Sequence, residues 1–301
     1  MHVLSPAGAY VLAHPGTFAK RVLKGFQTNQ GLLLAGAVAY YALLSVVPLL
    51  ILVVIALSHW VDQAELLSTL GTYLEWIIPG QSKAIVQELA NFVQHRDVIG
   101  WVLLITMLFF SSLAFTVLEK AMAVIFLHRF AIKRRHFMVS ALLPYIYILS
   151  VGVGLLMMTF VAGGLQAMGE NSIHFLGWEW SLSGVSGVLL YLMGLVGEVF
   201  LLTSIYMVMP VGRLSWRHAL IGGITAALLW ELTRRVLVWY FGTLSQVSVV
   251  YGSLTTAIIV LFTLEIAATL LLLGAQVISE YERIDRKGPE AEPPGTKVLK
   301  T

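Results

Sequence analysis

Cysteine is absent from the 301-residue sequence, which excludes disulfide bonds, thiolate metal sites and cysteine nucleophiles. Eight histidines are present, but none forms an H-E-x-x-H pair or a close cluster with carboxylates. The chain also lacks a G-x-S-x-G elbow and a phosphate-binding G-x-x-x-x-G-K-[ST] loop. These absences predict a protein without a metal, a cofactor or an enzymatic activity.

Charged residues are scarce: they make up 12% of the chain, against about 25% in a typical soluble domain. Hydrophobic residues make up 58%, and the mean hydropathy is +0.85. The small net charge of +3 does not indicate nucleic acid as a partner. The composition therefore predicts an integral membrane protein whose main partner is the lipid bilayer.

Six apolar stretches approach or exceed the length of about 20 residues that a transmembrane helix needs. We therefore predict an all-α polytopic membrane protein. Residues 1–30 form its N-terminal segment, 31–278 its transmembrane domain and 279–301 a charged, disordered tail. The predicted spans lie near residues 31–57, 98–118, 137–162, 184–208, 217–242 and 252–278.

Basic residues are distributed unevenly among the segments outside these spans. The alternate segments that include both termini hold 15 Lys and Arg residues when Arg217, at the edge of the fifth span, is counted with them, and the intervening segments hold 2. The positive-inside rule then places both termini in the cytoplasm, as in a multi-pass protein of a bacterial inner membrane. Some of these basic residues are also predicted to contact anionic lipid headgroups, namely Lys20, Arg21, Lys24, Arg129, Lys133, Arg134 and Arg135.

Two segments outside the spans have helical periodicity. Before the first span, Phe18, Val22 and Phe26 line the face opposite the basic residues, which predicts a short helix lying on anionic lipid. The outer connection, residues 58–97, repeats apolar residues at helical spacing on both sides of Pro79-Gly80. This pattern predicts an amphipathic helical hairpin on the outer surface.

Ionisable residues occur inside three of the predicted spans. Glu231 precedes Arg234 and Arg235 by three and four positions, so the three side chains can form an internal ion pair. Such a pair lowers the cost of inserting charge into the membrane. Other residues at similar predicted depth extend this candidate polar cluster, namely Glu198, Glu265, Tyr40, Tyr41 and Ser45.

The cluster has two interpretations, and the sequence leaves both open. Paired buried charges can be purely architectural and hold helices together. Ionisable residues within spans also mark substrate pathways and binding sites.

Several motifs appear in order along the chain: LLLAGAVAYYALLSVVPLL (32–50), WELTRR (230–235), YGSL (251–254) and LLLGAQV (271–277). From about residue 18 to 282 the sequence resembles the YihY/BrkB family of bacterial inner-membrane proteins. The resemblance implies a six-span α-helical protein and does not define an activity. Some family members carry the label ribonuclease BN, but the metal ligands and acid clusters of a nuclease are missing from this sequence, so no nuclease activity is expected.

Two functions follow from these features. The first is a transporter or a protein that handles a lipid or a small-molecule envelope component, with a polar cavity between its helices. The second is a non-transporting scaffold whose outer connection binds another envelope component. A membrane enzyme is less supported, because no nucleophile and base occur at a recognisable spacing. No motif indicates the oligomeric state.

The asymmetry of basic residues predicts the topology of the chain. A reporter fused after residue 290 should be cytoplasmic, and a reporter inserted near Gly80 should be external. Accessibility of the two reporters in intact cells measures both positions. A periplasmic C-terminus would contradict the arrangement with six spans.

Overall fold

A computed structural model describes nine stretches of the chain, which form two compact units. The first unit comprises Met1–Phe130 and Leu228–Thr301, and the second comprises Ala131–Ala227. The third predicted span, 137–162, lies outside the described residues. The described stretches are 6–57, 62–77, 81–94, 96–126, 173–175, 178–180, 183–209, 214–243 and 255–288.

Nine helices and one pair of strands occur in these stretches. They are α1 (Pro6–Ala13), α2 (Pro15–Thr28), α3 (Gly31–Leu57), α4 (Gln63–Ile77), α5 (Ser82–Gln94), α6 (Arg96–Ile125), β1 (Ile173–Phe175), β2 (Trp178–Trp180), α7 (Ser183–Val208), α8 (Trp216–Thr243) and α9 (Thr255–Lys287).

Four described helices contain stretches that are long and apolar enough to cross a bilayer. These stretches are Gly31–Leu49, Trp101–Ile125, Tyr191–Val208 and Thr256–Arg286. They overlap the first, second, fourth and sixth predicted spans. The helix α8 coincides with the fifth predicted span, but Glu231, Arg234 and Arg235 interrupt its apolar residues. Its crossing of the membrane therefore stays a prediction.

The centre of the first unit is α3, which packs against both α6 and α9. Ala35 and Ala39 are fully buried on α3, and small side chains of this kind let membrane helices approach closely. The helix continues through Pro48, whose ring removes one backbone hydrogen bond. Outward-facing aromatic and aliphatic residues of α6, such as Trp101 and Phe109, are strongly exposed, as expected of a helix that faces lipid.

One end of the first unit is built from α4, α5 and the end of α3. Asp62 caps α4, because its Oδ1 accepts hydrogen bonds from the backbone N–H groups of Ala64 and Glu65. Between the helices, the hydroxyl of Ser82 donates to Glu75. An apolar cluster closes this end and comprises Ile51, Leu66, Leu74 and Leu89.

The two helices α4 and α5 pack against each other, in the segment predicted to form a helical hairpin. Leu66, Leu74 and Leu89 of the predicted apolar pattern are buried. Tyr73, a member of the same pattern, is instead 57% exposed. The start of α9 joins this end too, since the Thr256 hydroxyl donates to Gln81 Oε1 at 2.6 Å.

The opposite end of the first unit contains α1, α2 and the end of α9, which pack together. Phe18, Val22 and Phe26 of α2 are buried. The apolar face of α2 therefore contacts protein, which corrects the prediction that this face lies on lipid. The turn into α3 is tight: Gln30 has a positive φ of 53°, and the ring of Phe26 occupies the space beside Gly31.

The last helix is longer than predicted. At about 1.5 Å per residue, the 33 residues of α9 span about 50 Å, well beyond the roughly 30 Å of hydrocarbon. Its charged C-terminal turns pack on α2. Residues 279–287 are therefore helical, and the predicted disorder is wrong for this part of the tail. Residues 289–301 lie outside the described part of the chain.

The second unit contains α7, the beginning of α8 and a short antiparallel strand pair. Gly223 of α8 lies against Thr203 of α7, where a Cβ would overlap the Thr203 hydroxyl and come within 3.1 Å of the Val199 carbonyl oxygen. In the strand pair, Ile173 is opposite Trp180 and Phe175 is opposite Trp178. The prediction of an all-α fold omits this small sheet.

Candidate functional site

The residues Glu231, Arg234 and Arg235 form an ion-pair cluster on α8. Arg234 binds the carboxylate side-on: its Nη2 donates to Oε1 at 2.9 Å and its Nε donates to Oε2 at 3.2 Å. Arg235 donates from Nη2 to Oε1 at 3.3 Å. Helical side chains lean toward the helix N-terminus, and both arginines reach back in this direction. The side chains therefore pair as predicted, and the position of the pair inside the membrane stays a prediction.

The two arginines differ in their surroundings. The side chain of Arg234 is 19% exposed and that of Glu231 is 14% exposed, whereas the side chain of Arg235 is 69% exposed. Screening by solvent makes an exposed ion pair weak, and a less exposed, bidentate pair is stronger. Arg234 is therefore the main partner of Glu231.

Arg234 also lines a pocket in the first unit, together with residues of α4 and α5. The pocket is a largely open depression with a volume of about 690 Å³. Its other charged lining residues are Glu75 of α4 and Lys83 of α5. Three hydroxyl side chains complete its polar lining, those of Ser68, Thr72 and Ser82. The pocket thus combines both signs of charge with several groups that can form hydrogen bonds.

Within the described part of the first unit, the other members of the predicted polar cluster do not join this ion pair. Glu265 of α9 lies near Gly36, where an added Cβ would be 3.8 Å from Glu265 Oε1. The rings of Tyr40 and Tyr41 meet edge-on with centroids 5.2 Å apart. Ser45 donates to the Ala42 carbonyl oxygen of its own helix at 2.9 Å.

The hydroxyl groups of Tyr40, Tyr41 and Ser45 do not donate to a carboxylate of any described residue. Glu198 lies half-buried in α7 and belongs to the second unit. Spacing along a helix could predict the local pair at Glu231. It could not predict which residues on different helices meet, because that depends on helix rotation and packing.

A second charged network, which the sequence did not reveal, lies at the end of the first unit that contains α2. Glu280 of α9 is fully buried, and its Oε1 accepts a hydrogen bond from Arg283 Nη1 at 2.9 Å. Arg21 of α2 approaches Glu280 Oε2 to 3.9 Å. Gln276 is also fully buried, and its Oε1 accepts a hydrogen bond from Asn29 at 2.9 Å.

Close packing holds this buried network together. Gly25 lies directly against the amide of Gln276, and a Cβ at this position would overlap the Gln276 side chain. The Ser279 hydroxyl donates to the carbonyl oxygen of Ile125 at 3.0 Å, which attaches α9 to α6. The sequence feature that could have predicted this network is the spacing of Gln276, Glu280 and Arg283, which places them on one helical face.

The predicted headgroup contacts have different positions. Lys20 and Lys24 are exposed on α2. The side chain of Arg21 is only 13% exposed and faces Glu280, so its position does not fit a headgroup contact. The remaining predicted contacts lie outside the described residues, namely Arg129, Lys133, Arg134 and Arg135.

The helices and polar sites together define an α-helical membrane protein. No group of three or more His, Asp or Glu side chains in the described stretches is arranged to hold a metal ion. The profile of the family described as Virulence factor BrkB matches residues 22–297. The chain belongs to this family, as the sequence motifs predicted.

Several bacterial membrane proteins are similar to this chain over most of its length. A UPF0761 membrane protein of Alkalilimnicola ehrlichii is 27% identical over 86% of this chain and 57% of its own length. The UPF0761 membrane proteins of Aggregatibacter aphrophilus and Haemophilus influenzae are 25% and 24% identical. Each of these two alignments covers 87% of this chain. The first covers 90% of the Aggregatibacter protein, and the second covers 93% of the Haemophilus protein. No solved structure matches the chain.

The buried Glu280 network predicts a specific effect on stability. Glu280→Gln removes the carboxylate that Arg283 and Arg21 contact, and breaking a buried pair from one side typically costs about 3–5 kcal/mol. The variant should melt well below the parent protein in detergent. Asp285→Asn, an exposed change on the same helix, is the matched control and should change stability by less than about 0.5 kcal/mol. Equal melting of both variants would show that Glu280 does not hold the helices together.

Proposed function

We propose that this protein is a six-span protein of the bacterial inner membrane that handles a lipid or a related amphiphilic envelope component. The observation that carries this proposal is the position of Arg234. Its guanidinium belongs to an ion pair on a mainly apolar helix and also lines a pocket of about 690 Å³. A purely architectural ion pair has no need to border a space of ligand size.

The depth of Arg234 supports an amphiphilic ligand. Arg234 lies 18 positions after Trp216, where α8 begins, which corresponds to about 27 Å along the helix. Trp216 is 52% exposed, as is usual for tryptophan at a membrane interface. If α8 crosses the membrane, Arg234 lies near the opposite edge of the roughly 30 Å hydrocarbon layer. Lipid headgroups and acyl chains meet at this level.

The arrangement of the first unit supports the predicted orientation of the chain. The helices α4 and α5, predicted to be external, contact the end of α3 and the start of α9. The helix α2 and the end of α9, both predicted to be cytoplasmic, meet at the other end. Each end therefore contains only elements that the positive-inside rule assigns to the same side.

A set of charge variants tests whether the ion pair serves function or architecture alone. Glu231→Gln leaves two arginines with fewer partners and should lower stability by about 3 kcal/mol. The triple variant Glu231→Gln, Arg234→Met and Arg235→Met removes all three charges, so it should recover much of the lost stability. Thermal melting in detergent and membrane yield measure both effects.

Complementation by the stable triple variant then decides between the two functions. Lipidomics and metabolite uptake in cells that lack or overproduce the protein provide the phenotype to be complemented. A lipid-handling or transport role predicts a folded but inactive triple variant. Full activity of that variant would instead assign the cluster to architecture and favour the scaffold function.

A further inference from the structure

The pocket beside Arg234 has an excess of positive charge. Its charged lining residues are Lys83, Glu75 and Arg234, which carry two positive charges and one negative charge. Glu231 and Arg235 are bonded to each other next to it and add one charge of each sign. This balance counts Glu75 at its full negative charge, and a cation bound to Glu75 would only make it more positive. The described residues in and beside the pocket therefore favour an anionic ligand.

Glu231 is shared between two arginines, so it cannot neutralise both of them. Its Oε1 accepts a hydrogen bond from Arg234 Nη2 at 2.9 Å and from Arg235 Nη2 at 3.3 Å. Neutralising one carboxylate requires only one arginine, and the second arginine leaves the cluster with a positive charge. The bidentate contact also fixes the plane of the Arg234 guanidinium. Glu231 therefore positions Arg234 beside the pocket without cancelling the positive charge of the cluster.

Two further groups of the lining can donate to an anion. Lys83 is exposed in the first turn of α5 and forms no ion pair with a described residue. The hydroxyl of Ser68 makes no hydrogen bond to a described residue, whereas the hydroxyl of Thr72 donates to the Ser68 carbonyl oxygen at 3.2 Å. Lysine and arginine are the usual partners of phosphate in proteins. Lys83 and Arg234 can therefore bind a phosphate group, and Ser68 adds a neutral donor.

The remaining walls suit the apolar part of an amphiphile. Leu67 and Val86 line the pocket from α4 and α5, and Val238 lines it from α8, one turn beyond Arg234. Leu67 and Val86 are partly buried, and Val238 is 46% exposed, so all three retain apolar surface that a ligand can cover. Cationic and apolar groups thus lie side by side, as the junction between a phosphate headgroup and its acyl chains requires.

We propose that this pocket binds the headgroup of an anionic phospholipid, with its phosphate at Lys83 and Arg234 and with Glu231 positioning Arg234. The inference rests on the proposed lipid-handling function and specifies its ligand chemistry. A phosphate can come from a lipid headgroup or from a free phosphate ion. A lipid source is favoured by the apolar walls and by the predicted depth of Arg234 near the membrane surface.

Native mass spectrometry of the full-length protein tests the headgroup directly. The protein is titrated with phosphatidylglycerol, phosphatidylcholine and phosphatidylethanolamine that have identical acyl chains. All three contain a phosphate, but only phosphatidylglycerol has a net negative charge. Phosphatidylglycerol should bind about fivefold more tightly than the other two, because the partly exposed cations of the pocket are screened by solvent and contribute modestly. Equal binding of the three lipids, or tighter binding of a zwitterionic lipid, would overturn the proposal.

Variants on α5 separate the pocket from general attraction between the protein surface and anionic lipid. Lys83→Gln should reduce the preference for phosphatidylglycerol to less than about twofold, and Lys83→Arg, which keeps the charge, should retain it. Glu88→Gln is an exposed change on the same helix outside the pocket lining and should bind like the parent. An unchanged preference in Lys83→Gln would contradict the proposal. So would a gain in phosphatidylglycerol binding by Glu88→Gln as large as the loss in Lys83→Gln.

Competition with inorganic phosphate separates the two sources of the phosphate group. Inorganic phosphate in large excess over phosphatidylglycerol should displace little of the lipid, because it lacks the chains that contact the apolar walls. Complete displacement would assign the pocket to free phosphate and overturn the lipid assignment. The proposed function has its own test in the complementation assay. If the stable triple variant fails to complement but the parent protein shows no preference for phosphatidylglycerol, the handling function stands and this inference alone fails.

Discussion

Charge inside a mainly apolar helix has to be bound by other groups of the protein, because hydrocarbon provides neither hydrogen bonds nor dielectric screening. If α8 crosses the membrane as predicted, this constraint explains why Glu231 and Arg234 form a bidentate pair on it. It also applies at the far end of α9, where packing against α2 excludes solvent and Glu280 is fully buried next to Arg283 and Arg21. The contact of Arg21 with Glu280 in turn restricts how α2 and α9 can rotate against each other.

The two charged networks have different roles in this arrangement. The Glu280 network is closed: glycine, amide and hydroxyl groups pack around it and connect α2, α6 and α9. The Glu231 network borders a pocket through Arg234. A closed network is suited to fixing helices in place, whereas one that borders a pocket is suited to binding. This difference supports the proposed binding site at the end of the unit that contains α4 and α5.

The sequence predicted the helices well because apolar length is a local property. The first predicted span, 31–57, has the bounds of α3. The span 184–208 begins one residue after α7, and 217–242 is one residue shorter than α8 at each end. The pair at Glu231 was predictable for the same reason, since i,i+3 and i,i+4 neighbours always meet on a helix. The extension of α9 to Lys287 was missed because its polar residues resemble those of a solvated tail. Their burial depends on α2, which is more than 240 positions away in the chain.

A double-mutant cycle on the Glu231 cluster tests the central claim, that a bound partner inside the protein stabilises the charge on α8. Free energies of unfolding are measured in detergent for Glu231→Gln, Arg234→Met and Arg235→Met, and for the two double variants that include Glu231→Gln. The coupling of Glu231 with Arg234 should be about 1–3 kcal/mol. Its coupling with the exposed Arg235 should be below about 1 kcal/mol. Negligible coupling to both arginines would mean that the three charges are solvated independently, and would contradict the claim.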